Sequence, residues 1–270
     1  MNPRDRYLVK PGKKVRLKDN DPDDTAGMHE ADAKKLVAKH RDKLAKLQQL
    51  LYAGHRHALL IILQAMDAGG KDGTIRHVMS GVNPQGCSVT SFKAPSAEES
   101  DHDFLWRIHK AVPGKGQIGI FNRSQYEEVL VVRVHNLAPK SHWSKAYEQI
   151  NAFESILAQN DVHILKFFLH ISKDEQKRRF EDRRTIRDKN WKASPSDYEE
   201  RKFWDDYREA FEDALEKCSK RDAPWYIVPA NHKWFRDVVV SEIIVDALED
   251  LKMKFPDTLP ALPATKGGKK

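Results

Sequence analysis

The residues best suited to chemistry stand together in Ile61-Ile62-Leu63-Gln64-Ala65-Met66-Asp67-Ala68-Gly69-Gly70-Lys71-Asp72-Gly73-Thr74. An apolar run over residues 59–63 reads as a strand, and residues 74–79 read as a helix. The glycine-rich turn between them ends in Lys71. Strand, glycine-rich turn, lysine and helix together aim backbone N–H groups and a helix N-terminus at phosphate. A plain strand-to-helix turn also uses glycine, so these residues alone leave both readings open. Against the pattern G-x-x-x-x-G-K-[ST], Ala65 replaces the first glycine and Asp72 stands where the hydroxyl residue belongs. Something other than Ser or Thr must then hold a magnesium ion. Carboxylates do so beside substrate phosphates and water, and Asp67 is the expected ligand. Asp72 either assists it or caps the helix N-terminus.

A second group, Phe121-Asn122-Arg123-Ser124, ends a buried run at 117–121, with Asn122 lying 51 residues past Lys71. Phosphate-transfer sites normally place a carboxylate here, where this chain offers an amide followed by a guanidinium. A third group lies in residues 173–202, which hold eleven Lys/Arg against eight Asp/Glu. Asp174 with Arg178 and Glu175 with Arg179 form expected i,i+4 pairs, which explains much of this stretch as a self-paired surface. Arg179, Arg183 and Arg187 fall on one helical face, where like charges repel unless a polyanion neutralises them. The polar turn Asp188-Lys189-Asn190-Trp191-Lys192-Ala193-Ser194-Pro195 follows. Such an element, placed after a strand, suits a lid over a nucleotide site.

These groups need a frame to bring them together. Runs at 59–63, 87–92, 117–121, 162–169 and 224–229 read as five strands, separated by helical patterns. One helix is expected over 96–111 with Ser96 as N-cap, others around 129–132 and over 141–157, and a last one over 235–251. Strands alternating with helices imply an α/β fold, a parallel sheet with helices on both faces. Ligands gather at the carboxyl ends of such strands, where Asp67 to Lys71, Lys93, Asn122-Arg123 and the stretch from Lys173 all fall. Ahead of the sheet, a helix over 32–52 carries Val37, His40, Leu44, Leu47 and Leu51 on one face, with Gly54 as its stop. His40 reads as a core or interface residue. Residues 1–30 read as an arm without its own core, 31–255 as the main domain with a lid at 173–202, and 256–270 as a disordered tail.

At 270 residues, with 40% hydrophobic and 32% charged residues, the chain suits one elaborated α/β domain. Its mean hydropathy of −0.70 indicates a soluble protein. No run of 18 apolar residues exists and the N-terminus lacks an apolar leader core. Cys87 and Cys218 are far apart and match no metal spacing, so reduced thiols and a cytoplasmic location are expected. A net charge of +7 favours an acidic partner.

Taken together, Met66 to Thr74, Phe121-Asn122-Arg123-Ser124-Gln125-Tyr126-Glu127, Lys189-Asn190-Trp191-Lys192 and Ala223-Pro224-Trp225 resemble the polyphosphate kinase 2 family, in its order and spacing. The resemblance spans residues 10–251. It implies a P-loop kinase-like three-layer fold with a helical lid, and phosphoryl transfer between inorganic polyphosphate and nucleotides with magnesium, manganese being an alternative. Lys71 matches the family's P-loop lysine, Asp67 its aspartate, Arg123 the arginine of its second motif and Arg183 its lid arginine. Asn122, Gln125, Glu127 and Asp72 depart from the common pattern in the manner of the subgroup that phosphorylates nucleoside monophosphates as well as diphosphates. Gly69, where alanine is more usual, is expected only to add flexibility.

The expected assignments follow. Asp67, Lys71, Arg123 and Arg183 are catalytic, and Ala68, Gly69, Gly70, Asp72, Gly73, Thr74, Asn122 and Glu127 bind phosphate or nucleotide. Lys93, Arg133, Arg179, Lys189 and Lys192 are candidates for a basic polyphosphate channel. Trp225 reads as packing rather than base stacking. The substrates are polyphosphate with AMP or ADP, and GMP or GDP alongside them. No nucleic acid or membrane partner is expected, and a homo-oligomer, dimer or tetramer, is; the leucine face of 32–52 is the contact that suggests itself. Two alternatives remain: an ATP-dependent nucleoside or nucleotide kinase of the same fold, and a basic nucleic-acid-binding module. Against the latter, basic and acidic residues interleave and no aromatic platform is evident.

Overall fold

Five apolar runs assemble into one parallel sheet in the computed structural model, which describes residues 2–256. The chain order is α1 (Pro3–Arg6), α2 (Glu30–Gly54), β1 (Ala58–Gln64), α3 (Lys71–Val78), β2 (Cys87–Ser91), α4 (Ala97–Ser100), α5 (Trp106–Ala111), β3 (Ile118–Asn122), α6 (Val131–Val134), α7 (Lys140–Gln159), β4 (Val162–His170), α8 (Lys173–Thr185), α9 (Ser196–Glu200), α10 (Trp204–Cys218), β5 (Trp225–Pro229) and α11 (Lys233–Asp250). Short 3-10 turns sit between some of these. The strand order is β2-β3-β1-β4-β5. All residues of β1 and β5 are buried, the pattern of strands covered on both faces. Apart from Pro256, the expected tail lies outside the described residues.

The order places β1 centrally, between β3 and β4. Chain leaving β1 turns one way through α3 to β2, whereas β4 and β5 build the other half. The crevice at this reversal, beyond the strands' carboxyl ends, is where a doubly wound sheet binds ligand. Leu63 pairs with Asn122 in register, so the turn after β1 and the turn after β3 leave the sheet side by side.

Several elements differ from the sequence reading. The helix expected over 96–111 is two pieces. Ser96 and Glu99 form a reciprocal capping box for α4, then Asp103 accepts the Leu105 amide at 3.0 Å and resets the chain before α5. Around 125–134 the chain is a 3-10 turn over Gln125–Val129 followed by one turn of helix, α6. Helix α2 runs through Gly54, and the left-handed residue that ends it is His55. Its leucine face, suggested as a contact between copies, is already occupied: Leu44 and Leu51 belong to the main core. His40 is buried there, 2.8 Å from the Ser241 hydroxyl of α11.

Residues 2–30 add to the main core. Tyr7, Val9, Val15 and Leu17 are buried in it. Leu8 bridges Tyr226 antiparallel, Val9 N–H donates to Trp225 C=O and Ile227 N–H donates to Tyr7 C=O, both at 2.9 Å. The arm therefore covers the outer edge of β5. No helix among the described residues is long and apolar enough to cross a membrane.

Candidate active site

The turn after β1 is held in a shape only some residues accept. Ala68 adopts a left-handed backbone at φ +58°, and Gly70, the N-cap of α3, lies at φ +105°. Gly69 is required by space rather than by flexibility, because a Cβ there would overlap Ala65 Cβ and lie 2.8 Å from Met66 C=O. That corrects the expectation for this residue. Behind the turn, the buried Arg236 of α11 donates from Nη1 to Gly70 C=O at 3.3 Å, and its other nitrogens are held by Asp237. The Lys71 Nζ curls over the turn, 3.2 Å from Ala65 C=O.

At the start of α3 the Thr74 amide already donates to Gly70 C=O at 2.9 Å, while the amides of Lys71, Asp72 and Gly73 have no backbone acceptor among the described residues. These three, with Lys71 Nζ, form the concave donor set expected of a phosphate cradle. Thr74, expected among the phosphate-binding residues, is buried, and its hydroxyl is also spent on Gly70 C=O at 3.1 Å. It shapes the turn and does not reach the cavity. Burial, and then the neighbouring Arg123, hold the Lys71 pKa below its ordinary value against Asp67, Glu127 and Asp72.

Asn122 and Arg123 follow β3. Arg123 N–H donates to Leu63 C=O at 3.1 Å, and its φ of +64° is unusual for a bulky residue. The conformation throws the guanidinium back across the β1 turn, where Nη2 meets Asp67 Oδ1 at 3.2 Å and Nη1 meets Glu127 Oε2 at 3.1 Å. Burial works against that charge, yet Glu127 and Asp67 more than offset it and raise the Arg123 pKa. Gln64 holds Glu127 in turn at 3.0 Å. Beneath, Gln125 and Tyr126 each donate to Glu154 Oε1 at 2.9 Å, and Lys166 of β4 donates to Glu154 Oε2 and to Cys218 C=O at 2.7 Å. The 3-10 turn carrying Glu127 is thus bolted to α7 and β4 through the core.

The segment expected to act as a lid begins at α8. Arg178 pairs with Glu175 and Asp182 rather than with the expected Asp174, and Arg179 pairs with Glu175 as expected at 2.6 Å. The anticipated arginine stripe is not continuous, because α8 ends at Thr185, before Arg187. Arg179 is buried and donates to Ala68 C=O at 2.9 Å and to Asn231 C=O, so it braces the turn from the back instead of lining a channel. Arg183 reaches into the cavity and pairs with Asp197 at 2.8 Å. Lys192 spans the opening to Asp72 Oδ2 at 2.9 Å, while Asn122 Nδ2 donates to Asp72 Oδ1 at 2.8 Å. Asp72 therefore does not cap α3. It joins the Lys192 segment to the turn after β3. Burial opposes its charge, but Lys192 and Asn122 hold its pKa below the ordinary carboxylate value.

These parts enclose one cavity of ≈ 1430 Å³. Asp67 to Gly73, Lys93, Asn122, Arg123, Glu127, Arg183 and Lys192 line it. Arg133 does not: it donates to Asp213 at 2.6 Å and Tyr147 at 3.1 Å and lies over the Trp143 ring. Lys189 is likewise outside, paired with Asp182 at 3.0 Å. Apolar side chains that the sequence reading does not single out also line it: Phe92, Phe104, Ile108, Val131 and Leu137. Phe92 packs edge-on against Phe121, and the Arg107 guanidinium lies 5.5 Å from its ring centre. The sequence signal was present as apolar residues at 131–137 with no helix long enough to bury them all. Trp225 is buried against Tyr126, consistent with packing.

Among the described residues no three His, Cys, Asp or Glu groups cluster as a metal cage. Magnesium needs none, since one or two carboxylates with phosphates and water suffice. Asp67 fits that role: it opens on the cavity beside Lys71, and its Oδ2 makes no hydrogen bond among the described residues.

A parallel five-stranded sheet with a lysine-bearing glycine turn after its central strand, facing an arginine-rich lid, defines a P-loop kinase-like phosphotransfer fold. The chain belongs to the polyphosphate kinase 2 (PPK2) family, whose model matches residues 27–256. It is 51% identical over 254 residues to an AMP/ADP-polyphosphate phosphotransferase of Meiothermus ruber, covering 93% of this chain and 95% of that protein. It is 52% identical over 238 residues to an ADP-polyphosphate phosphotransferase of Rhodopseudomonas palustris, covering 84% and 82%. The crystal structure of polyphosphate kinase 2 from Arthrobacter aurescens superposes with a TM-score of 0.92 at 44% identity, covering 96% of this chain and 93% of that one.

Proposed function

We propose that this protein is a polyphosphate-dependent nucleotide kinase that transfers a phosphoryl group from inorganic polyphosphate to AMP and ADP, and to their guanine counterparts. The observation that carries the reading is the convergence of Lys71, Arg123, Arg183 and Lys192 on one cavity that Phe92, Phe104 and Ile108 also line. The cations suit two phosphate chains, and the apolar side chains suit a base. The 51% identity to a protein named for both AMP and ADP supports the choice of acceptors.

The acceptor is a terminal phosphate oxygen, ionised near neutral pH, so the reaction requires no general base. That oxygen attacks the terminal phosphorus of the donor, a new P–O bond forms, and the bridging P–O bond breaks to release a polyphosphate shorter by one unit. Positioning and charge neutralisation then carry the catalysis. Lys71 and the Lys71 to Gly73 amides receive the transferring group. Arg123, already aimed by Asp67 and Glu127, and Arg183 from the lid bear on the oxygens of donor and acceptor. Asp67 would hold magnesium, which supplies further neutralisation between the phosphate oxygens when bound. Lys93 and Lys192 extend the positive lining. The family match favours this over a nucleic-acid-binding module, and cytoplasmic action as a homo-oligomer completes the proposal.

The test is direct. Purified protein with magnesium, polyphosphate and AMP or ADP should give ADP and ATP, resolved by chromatography. Failure to form ATP from ADP would remove this reading, and turnover that uses ATP as donor but ignores polyphosphate would establish the ATP-dependent alternative.

A further inference from the structure

Six carboxylate side chains line the cavity around Lys71: Asp67, Asp72, Glu99, Asp103, Glu127 and Glu128. All but the last are committed. Asp67 and Glu127 hold Arg123, and Asp72 holds Lys192. Glu99 accepts the Ser96 amide at 2.9 Å and pairs with Arg107, while Asp103 accepts the Leu105 amide at 3.0 Å. Glu128 has no lysine, arginine or backbone amide partner among the described residues. His142 Nε2 stands 2.9 Å from its Oε1, and its Oε2 makes no hydrogen bond among those residues. The carboxylate is 14% exposed, so water offsets little of its burial and a donor arriving from the cavity would complete it.

A carboxylate without a cation is out of place in a cavity that gathers phosphates, because like charges repel more strongly there than in water. Glu128 must therefore meet a part of the ligand that is not phosphate and that donates hydrogen bonds. The chain that follows it adds apolar surface to the same lining: Val131, Val132, Leu137 and Ala138. Leu137 stays largely exposed, held by a tight turn in which its amide donates to Val132 C=O at 2.9 Å and Asn136 adopts φ +50°. A hydrogen-bond acceptor on a chain that also supplies apolar side chains fits the edge of a purine, whose ring faces are apolar and whose exocyclic amino group donates. Ribose offers hydroxyl donors but no flat apolar face.

We propose that Glu128 accepts a hydrogen bond from the exocyclic amino group of the acceptor's purine and so selects aminopurine nucleotides. His142 occupies Oε1 and leaves Oε2 for the base. This rests on the nucleotide-kinase reading above and adds a residue that reads the base rather than the phosphates. The contact lies away from the transferred group, so it bears on the KM of the acceptor and not on that of the donor.

The experiment compares the full-length protein with a Glu128→Ala variant, each given magnesium, polyphosphate and one of three acceptors. These are ADP, purine riboside diphosphate, which lacks the amino group, and deoxy-ADP, which lacks a ribose hydroxyl. By kcat/KM the wild-type protein should prefer ADP to purine riboside diphosphate about tenfold, the scale of one charge-assisted hydrogen bond. In the variant that preference should vanish through a higher KM for ADP. No preference in the wild-type protein, or the same preference in both proteins, overturns the proposal. So does loss of a preference for ADP over deoxy-ADP in its place, which assigns the carboxylate to ribose. If Glu128→Ala folds poorly, Glu128→Gln keeps the shape and a neutral acceptor, and the preference should fall part of the way; an unchanged preference again overturns the proposal. Should the wild-type protein transfer to no nucleotide, the functional reading fails by itself. The contact is then judged by equilibrium binding of ADP and purine riboside diphosphate to both proteins: discrimination lost in the variant supports it, and discrimination absent or equal in both overturns it.

Discussion

Arg123 carries three demands at once: a left-handed backbone, a half-buried guanidinium and two carboxylate partners. Strained backbone of this kind costs on the order of 1–3 kcal/mol and persists where surrounding contacts over-determine it. Here the bond to Leu63 C=O and the pair of Asp67 and Glu127 do so. Lys71 is the simpler residue, because it contributes charge from the first residue of α3 and does not belong to the hydrophobic core. Lys71→Ala should leave the far-ultraviolet spectrum and melting temperature near wild type while the transfer rate falls by about 10²- to 10³-fold or more. A near-wild-type rate would take Lys71 out of the mechanism. Gly70→Ala tests the turn itself. The substitution forces a side chain into φ +105° and against Arg236, so denaturant unfolding should show a loss of roughly 1–3 kcal/mol. Unchanged stability would mean that Arg236 moves aside freely.

At the level of elements, the site is held by a buried ion pair. Lys166 and Glu154 are both sealed from solvent, and Glu154 alone receives Gln125, Tyr126 and Lys166. Desolvation makes such a pair a poor source of net stability, but removing one partner strands the other. Lys166→Met is expected to cost about 3–5 kcal/mol, with the Lys166→Met/Glu154→Gln double variant recovering part of it. Additive losses in thermal or denaturant melts would show that the two are not coupled. This bolt also shows what the sequence discloses and what it withholds. A lone lysine inside the apolar run Val162–His170 was a visible anomaly, but its partner lies 12 residues earlier on a different element. The strands and the β1 turn were legible because burial and turn chemistry are local. The two-piece α4 and α5 were not, since Asp103 competes for one amide in a stretch whose hydrophobic spacing fits a continuous helix. For the same reason Arg133 and Arg179 read as channel residues by their charge. Only the fold sets Asp213 beside one and the carbonyls of Ala68 and Asn231 beside the other.

For the whole molecule, pH is the most accessible variable. His40, His163 and His170 all have pKa values lowered, in each case chiefly by burial. The unfolded chain therefore binds protons near pH 6.5 that the folded chain refuses. The stability contributed by keeping these rings neutral is complete above about pH 6.5 and is lost as pH falls through the lower folded values. Melting temperature should drop between about pH 7.5 and pH 5.5, and an Asn substitution at His170 should shrink that drop. A flat profile would exclude the three rings as the cause. The arm over β5 has a separate consequence. Sheets leave two margins, and an uncovered one offers a row of backbone groups to any passing strand. Here β2 is short and largely polar, whereas β5 is apolar throughout and owes its protection to Tyr7, Leu8 and Val9. Shortening the chain past Val9 would leave the residues around the cavity in place and yet give a protein that self-associates through that bared margin and precipitates.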